Sequence, residues 1–196
     1  MRFVTFAVAS AAALAACGSQ ASQPPQPDTS KSQSAAQQAH VPPNISTPPG
    51  MVAFPDFNEF TAADLNSYSD ANWHHDKYVA FRTDSGVSCF AYVYGARALG
   101  DISCNSHRMP GFPVNANGQE HQGASRTESV LREPSNGPFQ FWLTTSTVDD
   151  SVKVLPAGQR LVVNDSGCAV GDDDLLACID GDHHGFVVSP RGSWAF

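Results

Sequence analysis

The chain has 196 residues, of which 41% are hydrophobic and 15% are charged, and its formal net charge is −8. This length suits one domain with extensions, and the apolar content excludes an acidic disordered chain. The 11 basic residues form no cluster that could neutralise several phosphates, so nucleic acid is excluded as an expected partner.

Residues 1–16 have the pattern of an export signal. One cation, Arg2, precedes an apolar run over residues 3–16. This run is shorter than the roughly 18 to 20 residues that a helix needs to cross a bilayer. We therefore expect residues 1–16 to be a cleaved signal peptide and not a permanent membrane span.

Leu14-Ala15-Ala16 stands directly before Cys17, and the small pair Gly18-Ser19 follows. This pattern resembles the lipobox of bacterial lipoproteins. The resemblance implies cleavage before Cys17, a diacylglyceryl group on its sulfur and further acylation (palmitate) of the new amine. Each buried methylene contributes about 0.8 kcal/mol, so two or three acyl chains would hold the protein on the extracytoplasmic face of the cell membrane. The alternative is a plain secretory signal with Cys17 left as a thiol.

Residues 17–50 are expected to be a disordered tether. From Gly18 to Gly50 there are seven of the fourteen prolines, six glutamines and no aromatic residue or leucine. Such a composition does not form a core, and it spans about 30 to 35 Å as a coil. A proline-rich ligand for a partner domain is the alternative interpretation.

Residues 51–196 are predicted to form a single β-rich extracytoplasmic domain. One short helix is expected near Thr61–Leu65, after which the chain alternates short apolar runs with Gly, Asn, Asp and Pro. The fold class is mainly β: a small antiparallel sheet, sandwich or barrel with two hairpin disulfides. The predicted strands include 77–81, 88–94, 139–143, 161–163 and 185–188.

The remaining four cysteines fall into two close pairs, in two pieces of chain that look alike. In each piece Asp-Ser-Gly, at 84–86 and at 165–167, is expected to make a turn before a cysteine opens a strand. An exported protein should have these cysteines oxidised. Three pairings exist, and locality favours Cys89 with Cys104 and Cys168 with Cys178. A four-cysteine zinc site is the rival, but its ligand pairs usually lie two to four residues apart.

The region 77–196 also resembles a family of uncharacterised secreted and lipid-anchored actinobacterial domains. The resemblance rests on a Ser-Gly turn before a Cys–strand–Cys unit, on a late cysteine pair and on a Gly-Phe strand. In this chain those motifs lie at 81–89, 102–104, 154–159, 168–178 and 184–189. The resemblance implies a fold and assigns no catalytic residue.

Two groups of residues could form a protease site and a metal site, and each group also has a simpler interpretation. The order His74, His75, Asp101, Ser166 is that of a chymotrypsin-like protease, but the glycine pattern that builds an oxyanion hole is missing. Two acidic clusters, 172–174 and 180–184, flank one predicted strand and could offer carboxylates and imidazoles to calcium or zinc. If Cys168 pairs with Cys178, the clusters lie at opposite ends of that strand, which favours solvated turns over one metal site.

Aromatic side chains could form a carbohydrate-binding face, although a small β domain needs most of them in its core. The residues considered were Tyr92, Tyr94, Trp142 and Trp194.

The sequence therefore predicts a membrane-anchored binding or scaffold module at the cell envelope. Its predicted partners are the membrane, through acyl chains on Cys17, and a cell-wall component or envelope protein. An envelope hydrolase with an unrecognised site and a weak divalent-metal binding protein are the alternatives. No catalytic, cofactor-binding or metal-ligating residue is assigned, and no cofactor is expected.

Overall fold

The computed structural model describes residues 44–70, 77–93, 99–118, 126–132, 137–163 and 166–196. Cys17, His74, His75 and Tyr94, which the sequence analysis considered, lie outside these ranges.

The described residues form twelve strands and two short 3-10 helices. The 3-10 helices are Phe57–Glu59 and Leu65–Tyr68. The strands are β1 (Thr61–Ala62), β2 (Ser69–Asp70), β3 (Lys77–Arg82), β4 (Ser88–Val93), β5 (Leu99–Ser106), β6 (Thr127–Arg132), β7 (Phe139–Thr144), β8 (Gln159–Val163), β9 (Ser166–Val170), β10 (Leu176–Ile179), β11 (Gly185–Val188) and β12 (Trp194–Ala195).

The strands are arranged in two six-stranded sheets. Sheet 1 has the order β1-β8-β9-β10-β11-β12, and sheet 2 has the order β2-β3-β4-β5-β6-β7. Strands β1 and β8 are parallel, whereas the other neighbours are antiparallel, so each sheet is essentially a meander. The first and last strands in each sheet order are edge strands that do not pair with each other, so neither sheet closes into a barrel. The mainly β prediction is confirmed, and the sandwich is the correct one of its three alternatives.

The main core lies between the two sheets. Alternate residues of each strand point to it, because side chains on a strand alternate between faces. Phe81 and Val130 of sheet 2 and Leu161 of sheet 1 belong to this core. Phe139 and Phe186 meet across it edge to face, with their ring centroids 5.0 Å apart. The sheets thus form an apolar interior that fixes which side chains remain on the outer faces.

Two disulfides lie in this core, and each joins the third and fourth strands of one sheet. Cys89 lies directly opposite Cys104, and Cys168 lies directly opposite Cys178. The four cysteines are at most 2% exposed. The pairing predicted from locality is confirmed, and its physical reason is that each short hairpin brings its two cysteines into register.

The outer face of sheet 1 is covered by the chain's own residues 44–60, here called the strap. Phe57 is 1% exposed and packs with Val162, Ala177 and other residues that point away from the main core. The indole N–H of Trp194 donates a hydrogen bond of 2.9 Å to the carbonyl of Val52. Ile45, inside the segment expected to be a tether, packs against the same cluster. Sheet 1 is therefore covered on both faces.

Two local expectations differ from the structure. The expected short helix is a 3-10 helix capped by Asp64, whose carboxylate accepts from the backbone N–H of Asn66, while Thr61 lies in β1. Of the two Asp-Ser-Gly sequences, the one at 84–86 forms a turn with Gly86 at φ 82°. In the other sequence Ser166 and Gly167 are already paired within β9, opposite Val163 and Val162.

Candidate functional site: a groove on the outer face of sheet 2

Within the described ranges, the loop that follows β7 covers part of the outer face of sheet 2. The Ser88 hydroxyl donates to the carbonyl of Asp149 at 2.8 Å, and the Thr127 hydroxyl donates to the carbonyl of Ser146 at 2.6 Å. Both hydroxyl side chains are buried, so these bonds satisfy groups that would otherwise be costly to desolvate. The loop is thereby fixed across strands β4 and β6.

A groove with a volume of about 630 Å³ lies between this loop and the sheet. This volume is within the range of small-molecule sites, about 300 to 1,000 Å³. Strands β3, β4 and β5 form its floor, and the loop after β7 forms its wall. The lining residues are Tyr78, Phe90, Ser103, Asn105, Ser146, Thr147, Val148 and Asp149.

The register explains why these side chains meet. Phe90 lies opposite Ser103 on β5, and Asn105 is two residues further along the same face. Tyr78 projects from β3 on the side opposite the buried Val79. Phe90 and Tyr78 are both partly exposed, so two aromatic rings contribute to a surface that solvent reaches.

Among the lining residues that the structure describes, Asp149 is the one with a charged side chain. Hydrogen bonds from the Ser151 hydroxyl and backbone N–H lower the pKa of Asp149 below its ordinary value, so this carboxylate stays ionised at neutral pH. The other polar lining groups are the neutral hydroxyls and amide of Ser103, Asn105, Ser146 and Thr147. None of the eight lining residues is a cation, a histidine or a cysteine. The arrangement can stack a ring and form hydrogen bonds to it.

Two of the aromatic residues predicted as candidates from the sequence, Trp142 and Trp194, have described side chains, and neither lines this groove. Trp194 is 6% exposed and belongs to the cluster under the strap, as the core interpretation predicted. Trp142 lies in β7 opposite Ser129 and is partly exposed outside the groove. The sequence analysis missed Tyr78 and Phe90 as site residues.

Ser166, the serine of the protease arrangement, is fully buried in β9. A nucleophile must reach its substrate, so this position does not suit a catalytic serine. His74 and His75, the histidines of that arrangement, lie outside the described residues.

The second acidic cluster forms a compact turn between β10 and β11. One ligand atom each from Asp180, Asp182 and His184 lies within 4.8 Å of the others. The Arg132 guanidinium already bridges the two carboxylates, from Nη1 to Asp180 Oδ2 at 2.6 Å and to Asp182 Oδ2 at 2.8 Å. The second oxygen of Asp180 accepts from the backbone N–H groups of Asp182 and His184. A metal ion would have to displace this guanidinium.

The first acidic cluster forms the opposite turn of the same strand. Asp173 and Asp174 have positive φ angles of 55° and 58°, and the Leu175 N–H donates to the carbonyl of Asp172. The four residues of β10 separate the two clusters, which is about 13 Å of strand. The predicted separation of the clusters is therefore confirmed.

These observations define the class of the molecule as a disulfide-bonded β-sandwich with one covered and one partly open outer face. Neither of the 3-10 helices in the described ranges is long enough to span a membrane. No protein-family model, curated protein or solved structure matches the chain.

Proposed function

We propose that this protein is a lipid-anchored, extracytoplasmic binding module of a bacterial cell envelope, and that the groove on sheet 2 is its recognition site. The observation that carries the proposal is the groove itself, since two partly exposed aromatic rings and several polar groups converge there. Concave sites of this size and mixed polarity are the usual places for ligands. The lipobox at Cys17 and the resemblance to secreted actinobacterial domains support the cellular location.

The position of the strap is compatible with anchoring. Residues 44–60 pack on the outer face of sheet 1, whereas the groove lies on the outer face of sheet 2. The chain therefore enters the domain on the side of the sandwich opposite the groove.

Recognition suits the groove better than covalent chemistry. A hydrolase needs a nucleophile and a base within hydrogen-bond reach. Among the lining residues that the structure describes, Ser103 and Ser146 offer hydroxyls, but no imidazole or amine stands beside them. Asp149 is engaged by Ser151, which favours its ionised form and its role as a hydrogen-bond acceptor.

Photo-crosslinking on intact cells tests the proposed site. The photoreactive residue p-benzoylphenylalanine replaces Thr147 at the groove or, as a matched control, Val114, which is fully exposed outside the groove. Both variants are full chains with the same anchor. We expect a defined adduct from position 147 and none of the same mass from position 114. Equal adducts from both positions, or none from 147, would contradict the assignment of the groove.

The anchor is tested separately with Cys17→Ala. We expect mass spectrometry of the natural protein to find diacylglyceryl and acyl groups on residue 17, and the variant to lose them. An unmodified thiol at position 17 in the membrane-derived protein would refute the anchor and leave the groove experiment unaffected.

A further inference from the structure

The charge of the groove restricts what can bind there. The eight lining residues that the structure describes include one carboxylate, Asp149, and no cation, and the chain has a net charge of −8. A phosphate-rich or polycarboxylate ligand would meet repulsion without an ion pair to offset it. Polyanions are therefore unsuitable occupants.

The groove lies on the face of a sheet and not at its edge, and this position further restricts the kind of ligand. A peptide that binds as an added strand needs unpaired backbone N–H and C=O groups at a sheet edge. The floor positions Tyr78, Phe90, Ser103 and Asn105 each have paired strands on both sides within sheet 2. At these positions the floor therefore recognises a ligand through its side chains.

The mixture of side chains excludes a purely apolar ligand. Such a molecule would desolvate Ser103, Asn105 and Asp149 without supplying hydrogen bonds in return. The rings of Tyr78 and Phe90 favour a ligand with an apolar face, and the neighbouring neutral groups favour one with hydroxyls or amides along its edge. A sugar ring has both properties.

We infer that the groove binds a segment of a neutral oligosaccharide. This inference rests on the proposed function and specifies its ligand class. The sugar faces pack on Tyr78 and Phe90, and the sugar hydroxyls or amides exchange hydrogen bonds with Asn105, Ser103 and the loop. Three strands of floor, about 10 Å across, accommodate more than one ring.

The test uses the full chain in a detergent without a sugar headgroup, with tetra-N-acetylchitotetraose and cellotetraose as neutral probes and polygalacturonate as the polyanionic control. Titration calorimetry should detect at least one neutral probe and no polygalacturonate. Tyr78→Ala and Phe90→Ala should each weaken binding by at least about tenfold. Trp142→Ala, an aromatic change on the same face outside the groove, should stay within about threefold of the wild type.

Saturation-transfer NMR on the wild-type protein provides a readout that does not depend on the variants. Ring C–H protons of the bound sugar should receive more saturation than its acetyl or terminal protons, since they face the aromatic floor. Binding that Trp142→Ala weakens as much as Phe90→Ala would overturn the location. If neither neutral probe binds but position 147 forms an adduct with a non-glycan component, the ligand class is overturned and the proposed function stands. Failure of both probes and of the adduct would overturn both.

Discussion

Arg132 joins the two sheets at one end of the sandwich, and replacing it with methionine removes that link. Its Nη1 contacts Asp180 and Asp182, and its Nε donates to the carbonyl of Gly137 at 2.6 Å. The side chains of Arg132 and Asp180 are 13% and 7% exposed, whereas that of Asp182 is 65% exposed. The two ion pairs therefore have very different environments.

Arg132→Met leaves the Asp180 carboxylate buried with only its two backbone donors, and we expect the free energy of unfolding to fall by about 3 kcal/mol. Asp182→Asn removes only an exposed, screened pair and should cost less than about 1 kcal/mol. The double variant Arg132→Met/Asp180→Asn should recover at least about 1 kcal/mol relative to Arg132→Met, because it removes the unpaired charge. Asparagine at 180 can still accept from both N–H groups.

Urea unfolding of the full chain, followed by tryptophan fluorescence, measures all three variants. The loss for Arg132→Met corresponds to a decrease in Tm of about 10 °C for a domain of this size. Equal destabilisation by Arg132→Met and Asp182→Asn, or no recovery in the double variant, would refute the assignment of the stabilising contact to the buried Arg132–Asp180 pair.

Four further predictions follow from other parts of the sandwich. Burial raises the pKa of Tyr68, so wild-type stability should fall as the pH rises above about 10. The urea midpoints at pH 9 and pH 11 should differ less in Tyr68→Phe than in the wild type. An equal difference in the two proteins would contradict this prediction. Asp174→Gly relieves a positive φ and should raise the unfolding free energy by about 0.5 to 1 kcal/mol, whereas Asp172→Gly should not. Replacing both Cys168 and Cys178 with alanine should lower the free energy of unfolding by about 3 kcal/mol. In the wild-type protein, dithiothreitol should free the thiols of these two cysteines for alkylation only when urea is added. Millimolar calcium or zinc should leave the wild-type Tm unchanged because Arg132 engages both carboxylates; a clear rise would show that a metal displaces it.

Much of the fold follows from local sequence patterns. The apolar runs at 77–81, 139–143 and 185–188 all lie in strands, since each is short and bounded by turn residues. The disulfide pairing also follows, because a short hairpin leaves each cysteine few partners. The two-residue strands β1, β2 and β12 carry no pattern long enough to detect, and their pairing depends on where the chain crosses from one sheet to the other.

The groove could not be derived in the same way. Tyr78 and Phe90 both lie in predicted strands, but their exposure depends on the register against β5 and on a loop more than fifty residues further along the chain. One signal was present: strand β3 carries aromatic residues on both faces, as Tyr78 and Phe81 show. Arg132 carried no signal, because a lone arginine in a strand predicts solvent exposure until its partners are known.

The burial patterns of the two sheets explain why one face remains open. Every described residue of β9, β10 and β11 is buried, whereas β6 and β7 contain both buried and partly exposed residues. Sheet 1 therefore needs a cover on its outer face, and the apolar strap residues Ile45, Phe54 and Phe57 supply it. Sheet 2 needs only the polar loop that binds Ser88 and Thr127. Ser103 and Asn105 lie beside the aromatic residues on this face, and Tyr78 and Phe90 remain partly exposed there next to these polar groups. Partial exposure outside the core is the condition for a site that binds without altering the core.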